Sequence, residues 1–234
     1  MKYLVIGDSN SMHIFNFVKT FLMPRGYEIH LLTLSTQRVR EEYRRFYKEN
    51  NITLHSVAEK GYKGLDKTDR VHRLLNLWRK SRLMKDVPCV DVCHIHSVYK
   101  TSVAMVLRNK KKFKKLILSY WGGDVEDKNP EVLKLREQAF PIADAITVTV
   151  EQTLNDFREI HGNKYDDKLN ICRFATDGLN CIKGLSESVS RDDCRNAYNV
   201  PDGKIVVTCG YSATSEQHQD VILEEVEDEE EIAE

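Results

Sequence analysis

The segment Gly7–His13 combines a glycine with small polar side chains directly after an apolar run. Its sequence, Gly-Asp-Ser-Asn-Ser-Met-His, follows Tyr3–Ile6 and leads into a helical pattern. Backbone N–H groups at such a strand-to-helix junction allow an anion or a sugar to approach closely. The segment lacks the G-x-G-x-x-G spacing of dinucleotide-binding loops, so it is equally consistent with a tight turn in which Ser11 is the helix N-cap.

A second cluster places two cysteines and two histidines within eight residues, at Cys89, Cys93, His94 and His96. These are zinc-ligand types, but in an extended strand Cys93 points away from the two histidines, and no second ligand pair follows. We therefore expect no metal. His96 is predicted to lie at the tip of a central strand and to face a ligand crevice, with His94 one pleat deeper as a core histidine.

The loop Ser119–Asp124 has the composition of a ligand-binding loop and again follows a strand-like run. Gly122 and Gly123 would let the backbone approach a ligand, Trp121 offers an aromatic face for a sugar, and the Asp124 carboxylate accepts hydrogen bonds from hydroxyls. The alternative is a plain turn with a buried tryptophan.

Basic residues are concentrated in the first half of the chain. Residues 1–115 contain 24 Lys and Arg against 10 Asp and Glu, whereas residues 116–234 contain 11 against 26. The densest cluster follows Arg108 and comprises Lys110, Lys111, Lys112, Lys114 and Lys115. It is predicted to face an anionic membrane surface, where each such charge contributes about 1 kcal/mol. RNA would also suit these charges, but no known nucleic-acid module surrounds them, and a solvated surface stays open.

Strand-like and helix-like segments alternate along the chain and must position these residues. In the first helical pattern, Ile14, Phe17, Val18 and Phe21 form one apolar stripe that ends at Pro24-Arg25-Gly26. Repeated strand–helix units predict an α/β fold with a Rossmann-like parallel sheet covered by helices on both faces. Ligands then bind beyond the carboxyl ends of the strands. The predicted strands are Tyr3–Ile6, Ile29–Leu34, Ile52–His55, Val92–His96, Leu116–Ser119, Ala145–Val150 and Leu169–Cys172.

The pattern changes near residue 180. Residues 173–190 are rich in Gly, Ser and Asn and are predicted to form a loop or hinge. A helix at 192–198, a strand at 205–209 and a final helix then indicate the first strand–helix unit of a second domain, which ends in an acidic tail. We assign 1–180 to the first domain and 181–234 to the hinge and the start of the second.

Composition excludes several classes of protein. With 234 residues, 41% of them hydrophobic, the sequence is typical of a globular protein. The apolar run at the N-terminus is too short for a signal peptide, and no window reaches the roughly 18 apolar residues of a membrane span. Six scattered cysteines favour reduced thiols. We expect a cytosolic protein, with at most a peripheral contact to the inner face of the plasma membrane.

Taken in order, these segments resemble the GT-B glycosyltransferases of family 4, which build capsule, O-antigen and related bacterial surface polysaccharides. The resembling segments are Gly7–His13, Asp91–His96, Trp121–Asp124, Ala143–Thr147, Arg173–Gly178, Lys204–Tyr211 and Glu216–His218. The resemblance implies hexosyl transfer from a nucleotide-sugar to a saccharide or polyprenyl-linked saccharide acceptor, in a crevice between two Rossmann-like domains. The first domain is the acceptor side. No cofactor and no metal are implied.

The resemblance also implies site residues. The candidate catalytic residues are His13, His96 and Asp124. The candidate substrate-binding residues are Gly7, Ser9, Asn10, Trp121, Gly122, Gly123, Gly210 and Tyr211.

The donor domain of the family continues past the end of this sequence. Glu216 and Glu224 have the family's E-x7-E spacing, but they follow the first strand of the second domain and lack its glycine-rich context. We therefore expect a donor domain that is mostly missing. Two alternatives stay open: an acceptor-side, membrane-docking half of a two-chain glycosyltransferase, with a separate donor-domain chain, and an inactive remnant.

A hydrolase is a more distant alternative. Gly7-Asp8-Ser9 after a first strand also resembles the nucleophile block of SGNH esterases, with Ser9 as the nucleophile. The Gly-x-Asn-Asp block of that family is absent, and Asp91 and His94 are predicted to lie on opposite faces of one strand.

Overall fold

A computed structural model describes residues 1–58, 80, 82–173, 177–201 and 203–204. Contacts between Cα atoms divide the chain into two compact units, Met1–Asp177 and Gly178–Glu234. All of the strands described below belong to the first unit.

The first unit is built on a seven-stranded sheet in which every pairing is parallel. The strands are β1 (Lys2–Ile6), β2 (Glu28–Thr33), β3 (Thr53–Ser56), β4 (Val90–His96), β5 (Phe113–Ser119), β6 (Ala145–Val148) and β7 (Leu169–Ile171). Their order in the sheet is β3-β2-β1-β4-β5-β6-β7. The chain thus proceeds outward from β1 on one side and from β4 on the other, which creates a topological switch point between them.

Helices connect the strands. They are α1 (Met12–Phe17), α2 (Glu41–Glu49), α3 (Lys100–Arg108), α4 (Gly123–Glu126), α5 (Pro130–Ala139), α6 (Glu151–His161), α7 (Asp177–Ser188) and α8 (Arg191–Ala197). A π-helical turn (Val18–Leu22) and a 3₁₀ turn (Met23–Arg25) continue α1, and the segment ends at Gly26, whose φ is 65°. The termination predicted at Pro24-Arg25-Gly26 is therefore confirmed.

Both faces of the sheet are buried, because side chains alternate along each strand. Leu4 and Ile6 pack on one face with residues of β4, β5 and β6. Tyr3 and Val5 pack on the opposite face with α1 and β2. The predicted α/β, Rossmann-like architecture is confirmed, as are all seven predicted strands, with ends that shift by one to three residues.

The prediction of a loop or hinge at 173–190 is wrong for most of its length, because Asp177–Ser188 is a helix. Leu179, Ile182, Leu185 and Val189 recur every three to four residues, which is a helical period. Gly184 and two serines, Ser186 and Ser188, lie between them and obscured that period. The next helix was predicted within one residue and begins with a capping box between Ser190 and Asp193.

Several sequence predictions lie outside the described residues. They are the strand at 205–209, the final helix, the acidic tail, the E-x7-E pair, and the site residues Gly210 and Tyr211. Among the residues that the structure does describe, no helix is long and apolar enough to cross a membrane.

Candidate functional site

The candidate site lies at the carboxyl ends of β1 and β4, where the strand order reverses. Ile6 pairs with Ile95 in the sheet, so Gly7 and His96 are neighbours at this edge. A Cβ atom at Gly7 would stand 2.7 Å from Ile14 Cδ1 and 3.4 Å from His96 Cβ. A larger residue at position 7 would push the Ile14 side chain aside, so glycine favours close packing of α1 against the end of β4.

His96 is buried at 7% exposure, and neither ring nitrogen has a hydrogen-bond partner. Its ring contacts Phe17, His94 and Trp121, with centroid distances of 4.7, 4.0 and 5.7 Å. Burial, and secondarily the neighbouring His94, lowers the pKa of His96 well below its usual value, so the ring is neutral at pH 7. A neutral imidazole offers one N–H donor and one acceptor nitrogen to a ligand.

His94, by contrast, is fully hydrogen-bonded. Its Nδ1 lies 2.9 Å from the Tyr3 hydroxyl and its Nε2 lies 2.6 Å from Ser119 Oγ. Ser119 Oγ in turn lies 2.6 Å from Thr147 Oγ1. Burial lowers the pKa of His94 to about 3. The interpretation of His94 as a core histidine therefore agrees with the structure, and its network fixes the ring on which His96 packs.

His13 and Trp121 complete an aromatic group around His96. The His13 and Trp121 rings meet edge to face at 5.6 Å between centroids. The structure thus brings together three residues that lie far apart in the sequence. They line one cavity together with Phe17, Phe21, His94, Ser119, Tyr120, Thr147, Thr149, Cys172 and Arg173. The cavity is largely apolar, and the nitrogens of His96 are unsatisfied within it.

Asp124, predicted to be catalytic, is tied into the backbone of the site loops. It is 1% exposed, and its carboxylate accepts hydrogen bonds from the backbone N–H groups of Val98 (2.7 Å), Trp121 (2.7 Å) and Gly122 (3.1 Å). These bonds join the loop after β4 to the loop after β5. Gly122 has a φ of 127°, which only glycine adopts readily, and this conformation lets the loop turn into α4. Asp124 therefore holds the loop that carries Trp121.

Sequence reasoning missed Arg136 of α5, which supports the same two loops. Its guanidinium is fully buried and donates to the carbonyl oxygens of Val98 (3.1 and 3.3 Å), Asp127 (2.9 Å) and Asp124. It also lies 5.5 Å from the centre of the Tyr120 ring. One arginine in an amphipathic helix gives no sequence signal of this kind, since the carbonyls it binds come from residues 9 to 38 positions away.

Ser9 and Asn10 were predicted to bind substrate, and the structure gives both a role in holding the turn. Ser9 is fully buried, and its carbonyl accepts a hydrogen bond from the Tyr47 hydroxyl at 3.1 Å. The Asn10 side chain bonds the backbone of Arg38 and Arg40, at 3.0 and 2.8 Å. A fully buried Ser9, with His94 bonded to Tyr3 and Ser119, does not form the nucleophile and base of an esterase.

A second cavity adjoins the first across His96. It is lined by Ile6, Gly7, Asp8, Leu34, Ser35, Lys80, His96, Ser97, Tyr99, Thr101 and Ser102. His96 therefore lines both cavities, and the second has the larger share of polar lining.

The described residues contain no cluster of three or more His, Cys, Asp or Glu side chains that could hold a metal ion. Cys93 is buried on the other face of β4 from His94 and His96, as the alternation along the strand predicted. Four of the cysteines, Cys89, Cys93, Cys172 and Cys194, are free thiols.

Comparison with known families gives this geometry a context. The model of the family described as Glycosyl transferase 4-like matches residues 2–150, which is more than half of the chain. This chain belongs to that family. The resemblance inferred from the sequence is therefore confirmed. The matched region of this glycosyl transferase 4-like chain contains His13, His96, Trp121 and Asp124.

No curated protein matches the glycosyl transferase 4-like chain. Among solved structures, it is similar to the crystal structure of HepE from Anabaena in complex with UDP and glucose, with 10% sequence identity and a TM-score of 0.47. That match covers 80% of this chain and 50% of the other, so this chain spans about half the length of the protein it matches.

The basic cluster of the glycosyl transferase 4-like chain lies at the opposite edge of the sheet from the crevice. Its lysines occupy a 3₁₀ turn and the first residues of β5, whereas His96 and Trp121 follow the carboxyl ends. Two of the lysines are engaged: Lys112 Nζ caps the carbonyls of Met84, Lys85 and Val87, and Lys114 pairs with Asp91 at 2.6 Å. Lys110, Lys111 and Lys115 are exposed.

Proposed function

We propose that this chain supplies the acceptor-binding side of a glycosyltransferase. The reaction would transfer a hexosyl group from a nucleotide-sugar to a hydroxyl of a saccharide or lipid-linked saccharide, in the synthesis of a cell-surface polysaccharide. The acceptor oxygen forms a bond to the anomeric carbon, the bond from that carbon to the phosphate breaks, and the hydroxyl proton leaves with the nucleoside diphosphate. No metal or other cofactor forms part of the proposal.

The observation that carries the proposal is the environment of His96. A buried imidazole with two unpartnered nitrogens is costly unless a ligand satisfies them. His96 has such nitrogens at the switch point of a parallel sheet, beside the aromatic face of Trp121. Sugars combine apolar ring faces with hydroxyls that donate and accept, which matches this pairing.

His96 is proposed to orient a sugar hydroxyl rather than to remove its proton. Its pKa lies well below its usual value because the ring is buried, so it is a weak base at neutral pH. It nonetheless accepts a hydrogen bond from a hydroxyl without first losing a proton. His13, in contact with Trp121, would line the same sugar-binding cavity.

The test replaces His96 with glutamine. We expect His96→Gln to reduce either the turnover of UDP- and GDP-sugars or the affinity for saccharide acceptors about ten-fold or more. The reason is that one hydrogen bond between neutral groups, from the sugar hydroxyl to the imidazole, is lost or misplaced. Turnover is followed by NMR of the anomeric protons, and binding by calorimetry. Trp121→Ala should weaken saccharide binding in the same assay through loss of the stacking face.

His161→Gln is the matched control. His161 is also a buried histidine with an unpartnered Nε2, but it lies on α6 beside Glu137, away from the crevice. We expect it to leave turnover and saccharide affinity unchanged. The proposal fails if the folded protein binds neither nucleotide-sugar nor saccharide, or if His161→Gln and His96→Gln have the same effect.

A peripheral membrane contact is a further part of the proposal. Lys110, Lys111 and Lys115 are exposed, and the described part of the chain places no carboxylate within ion-pair distance of them. Three such charges at one sheet edge favour an anionic surface.

A further inference from the structure

The second cavity beside His96 is lined in part by the N-terminus of α3. Tyr99, Thr101 and Ser102 from the start of this nine-residue helix line it. The amides of the first helical turn have no partner within the helix, and the first bond in α3 runs from Val103 N to Tyr99 O at 3.1 Å. The N-cap residue Tyr99 provides no side-chain cap. The turn therefore presents uncapped donors, and the positive end of the helix dipole, to this cavity.

The preceding turn is shaped to keep these donors accessible. Ser97 has a φ of 70°, and its carbonyl accepts a hydrogen bond from Ser102 Oγ at 3.2 Å. Ser102 Oγ also donates to Tyr99 O at 2.9 Å. The Ser102 hydroxyl thus donates to these two carbonyls. The N–H group of Val98 donates to the Asp124 carboxylate at 2.7 Å. The N–H groups of Thr101 and Ser102 remain available to a ligand.

Two further groups in the cavity are independent of the helix. His96 lines it and has two unpartnered nitrogens while 7% exposed. Lys80 also lines it, and burial lowers the pKa of its amine. No carboxylate of the described residues forms an ion pair with Lys80. A partly desolvated amine gains more from a nearby anion than a fully hydrated one does.

Asp8 is the opposing charge in the same cavity. It is exposed, and its Oδ1 accepts a hydrogen bond from Asn10 N at 3.0 Å. A carboxylate disfavours an anion but accepts hydrogen bonds from sugar hydroxyls. The cavity therefore combines groups suited to an anion, the start of α3 and Lys80, with a group suited to hydroxyls, Asp8.

We propose that this cavity binds a phosphate group carried by the acceptor sugar, held by Lys80 and the N–H groups of Thr101 and Ser102, with His96 between the phosphate and the sugar ring. The inference rests on the proposed function and deepens it, because it assigns the acceptor to the class of phosphorylated saccharides.

The test follows backbone amides of the full chain by ¹⁵N NMR during titration with inorganic phosphate, glucose 6-phosphate, glucose and UDP. We expect inorganic phosphate and glucose 6-phosphate to shift Thr101 and Ser102 with a saturable profile. Lys80→Gln should weaken that binding about ten-fold, because a charged hydrogen bond is removed. The matched control is Lys85→Gln, an exposed lysine five residues further along the chain that does not line the cavity. It should change the affinity by less than about two-fold.

Each other outcome overturns the inference. Phosphate shifts confined to Lys110–Lys115, or equal losses in the two lysine variants, would indicate general charge binding. Shifts of Thr101 and Ser102 by UDP, with none by glucose 6-phosphate, would assign the cavity to the donor. If glucose shifts His96 and Trp121 while phosphate leaves α3 unchanged, the phosphate subsite is wrong although the proposed function stands. The absence of all shifts would remove both.

Discussion

At the scale of single residues, the crevice depends on two neutral histidines with opposite hydrogen-bonding states. His94 has a partner at each ring nitrogen, whereas His96 has none. That both rings lie on the same face of β4 was predictable from the sequence, since residues two apart share a strand face. Which of the two histidines has hydrogen-bond partners was not predictable, because the partners, Tyr3 and Ser119, come from neighbouring strands. Burial keeps both rings neutral and ties the stability of the fold to pH.

The pKa of His94 gives a prediction for acid stability. The folded-state pKa is about 3, below the usual 6.5, so the unfolded state binds the proton first as the pH falls. Stability from this group is complete above pH 6.5 and is lost between pH 6.5 and 3. The slope contributed is up to about 1.4 kcal/mol per pH unit. The free energy of unfolding, measured with urea, should therefore decrease steeply from pH 7.5 to pH 5. The lowered pKa of His96 contributes to this decrease in the same direction.

The comparison that isolates this effect uses His94→Gln. The variant keeps polar groups near Tyr3 and Ser119 but cannot titrate, so it should be less stable at pH 7.5 and lose stability less steeply on acidification. Subtracting the free energies of unfolding of the two proteins at each pH removes the contributions of the other histidines. Parallel curves for the variant and the unmodified chain would show that folding does not lower the pKa of His94.

At the scale of elements, the strands, the first helical segment and the helix at 191–197 were predictable because each rests on a local signal. Strand-like runs of four to six residues identify β1 to β7, and Pro24 with Gly26 identifies the end of the first helical segment. Helix α7 was missed because its apolar period is interrupted by glycine and serine. The loops of the site were recognised as ligand-like, but the way they are fixed to each other was not. That fixation is made by Asp124 and Arg136, through long-range contacts to backbone atoms.

Arg136 provides the prediction at this scale. Arg136→Met leaves the buried carbonyls of Val98, Asp124 and Asp127 without donors, so we expect a loss of roughly 2–4 kcal/mol in the free energy of unfolding. In a Trp78→Phe background, where Trp121 is the remaining tryptophan, its fluorescence should also report a changed loop. Arg136→Lys should recover part of both signals, since an ammonium can still reach one or two carbonyls.

The matched control for Arg136 is Arg158→Met on α6. Arg158 forms an exposed ion pair with Asp166 at 3.0 Å. Its replacement should lower the free energy of unfolding by less than about 1 kcal/mol. If the two variants are equally stable, or if Trp121 fluorescence is unchanged in Arg136→Met, then Arg136 does not position the loop of the site.

At the scale of the whole molecule, the ligand edge and the basic edge of the sheet lie at opposite ends of the same strands. β5 begins beside the basic cluster and ends at Ser119, immediately before the Trp121 loop. Seven residues of strand separate the two edges by about 20 Å. Docking through the lysines would therefore hold the crevice about 20 Å from the lipid surface. An acceptor reached in this position must be soluble or carried on an extended head group.

This arrangement predicts that lipid binding and transfer are separable. Replacing Lys110, Lys111 and Lys115 with glutamine should raise the concentration of anionic liposomes needed for half-maximal sedimentation about a hundred-fold, since three charges contribute about 1 kcal/mol each. Nucleotide-sugar turnover on a soluble acceptor should not change. The charge-matched control replaces Lys128, Lys134 and Lys183, which are exposed elsewhere, and should retain lipid binding at 0.1 M salt.

The opposite orientation makes a contrasting prediction. Phe21 and Tyr99 are exposed at the crevice edge, at 37% and 51%, and would enter the interface if this edge faced the bilayer. Phe21→Ser would then abolish sedimentation while the lysine variant retained it, and the crevice would open onto lipid. If instead the lysine variant loses sedimentation and Phe21→Ser does not, the crevice faces away from the membrane. A phosphorylated soluble saccharide, as inferred for the cavity at α3, is then the acceptor that this geometry can reach.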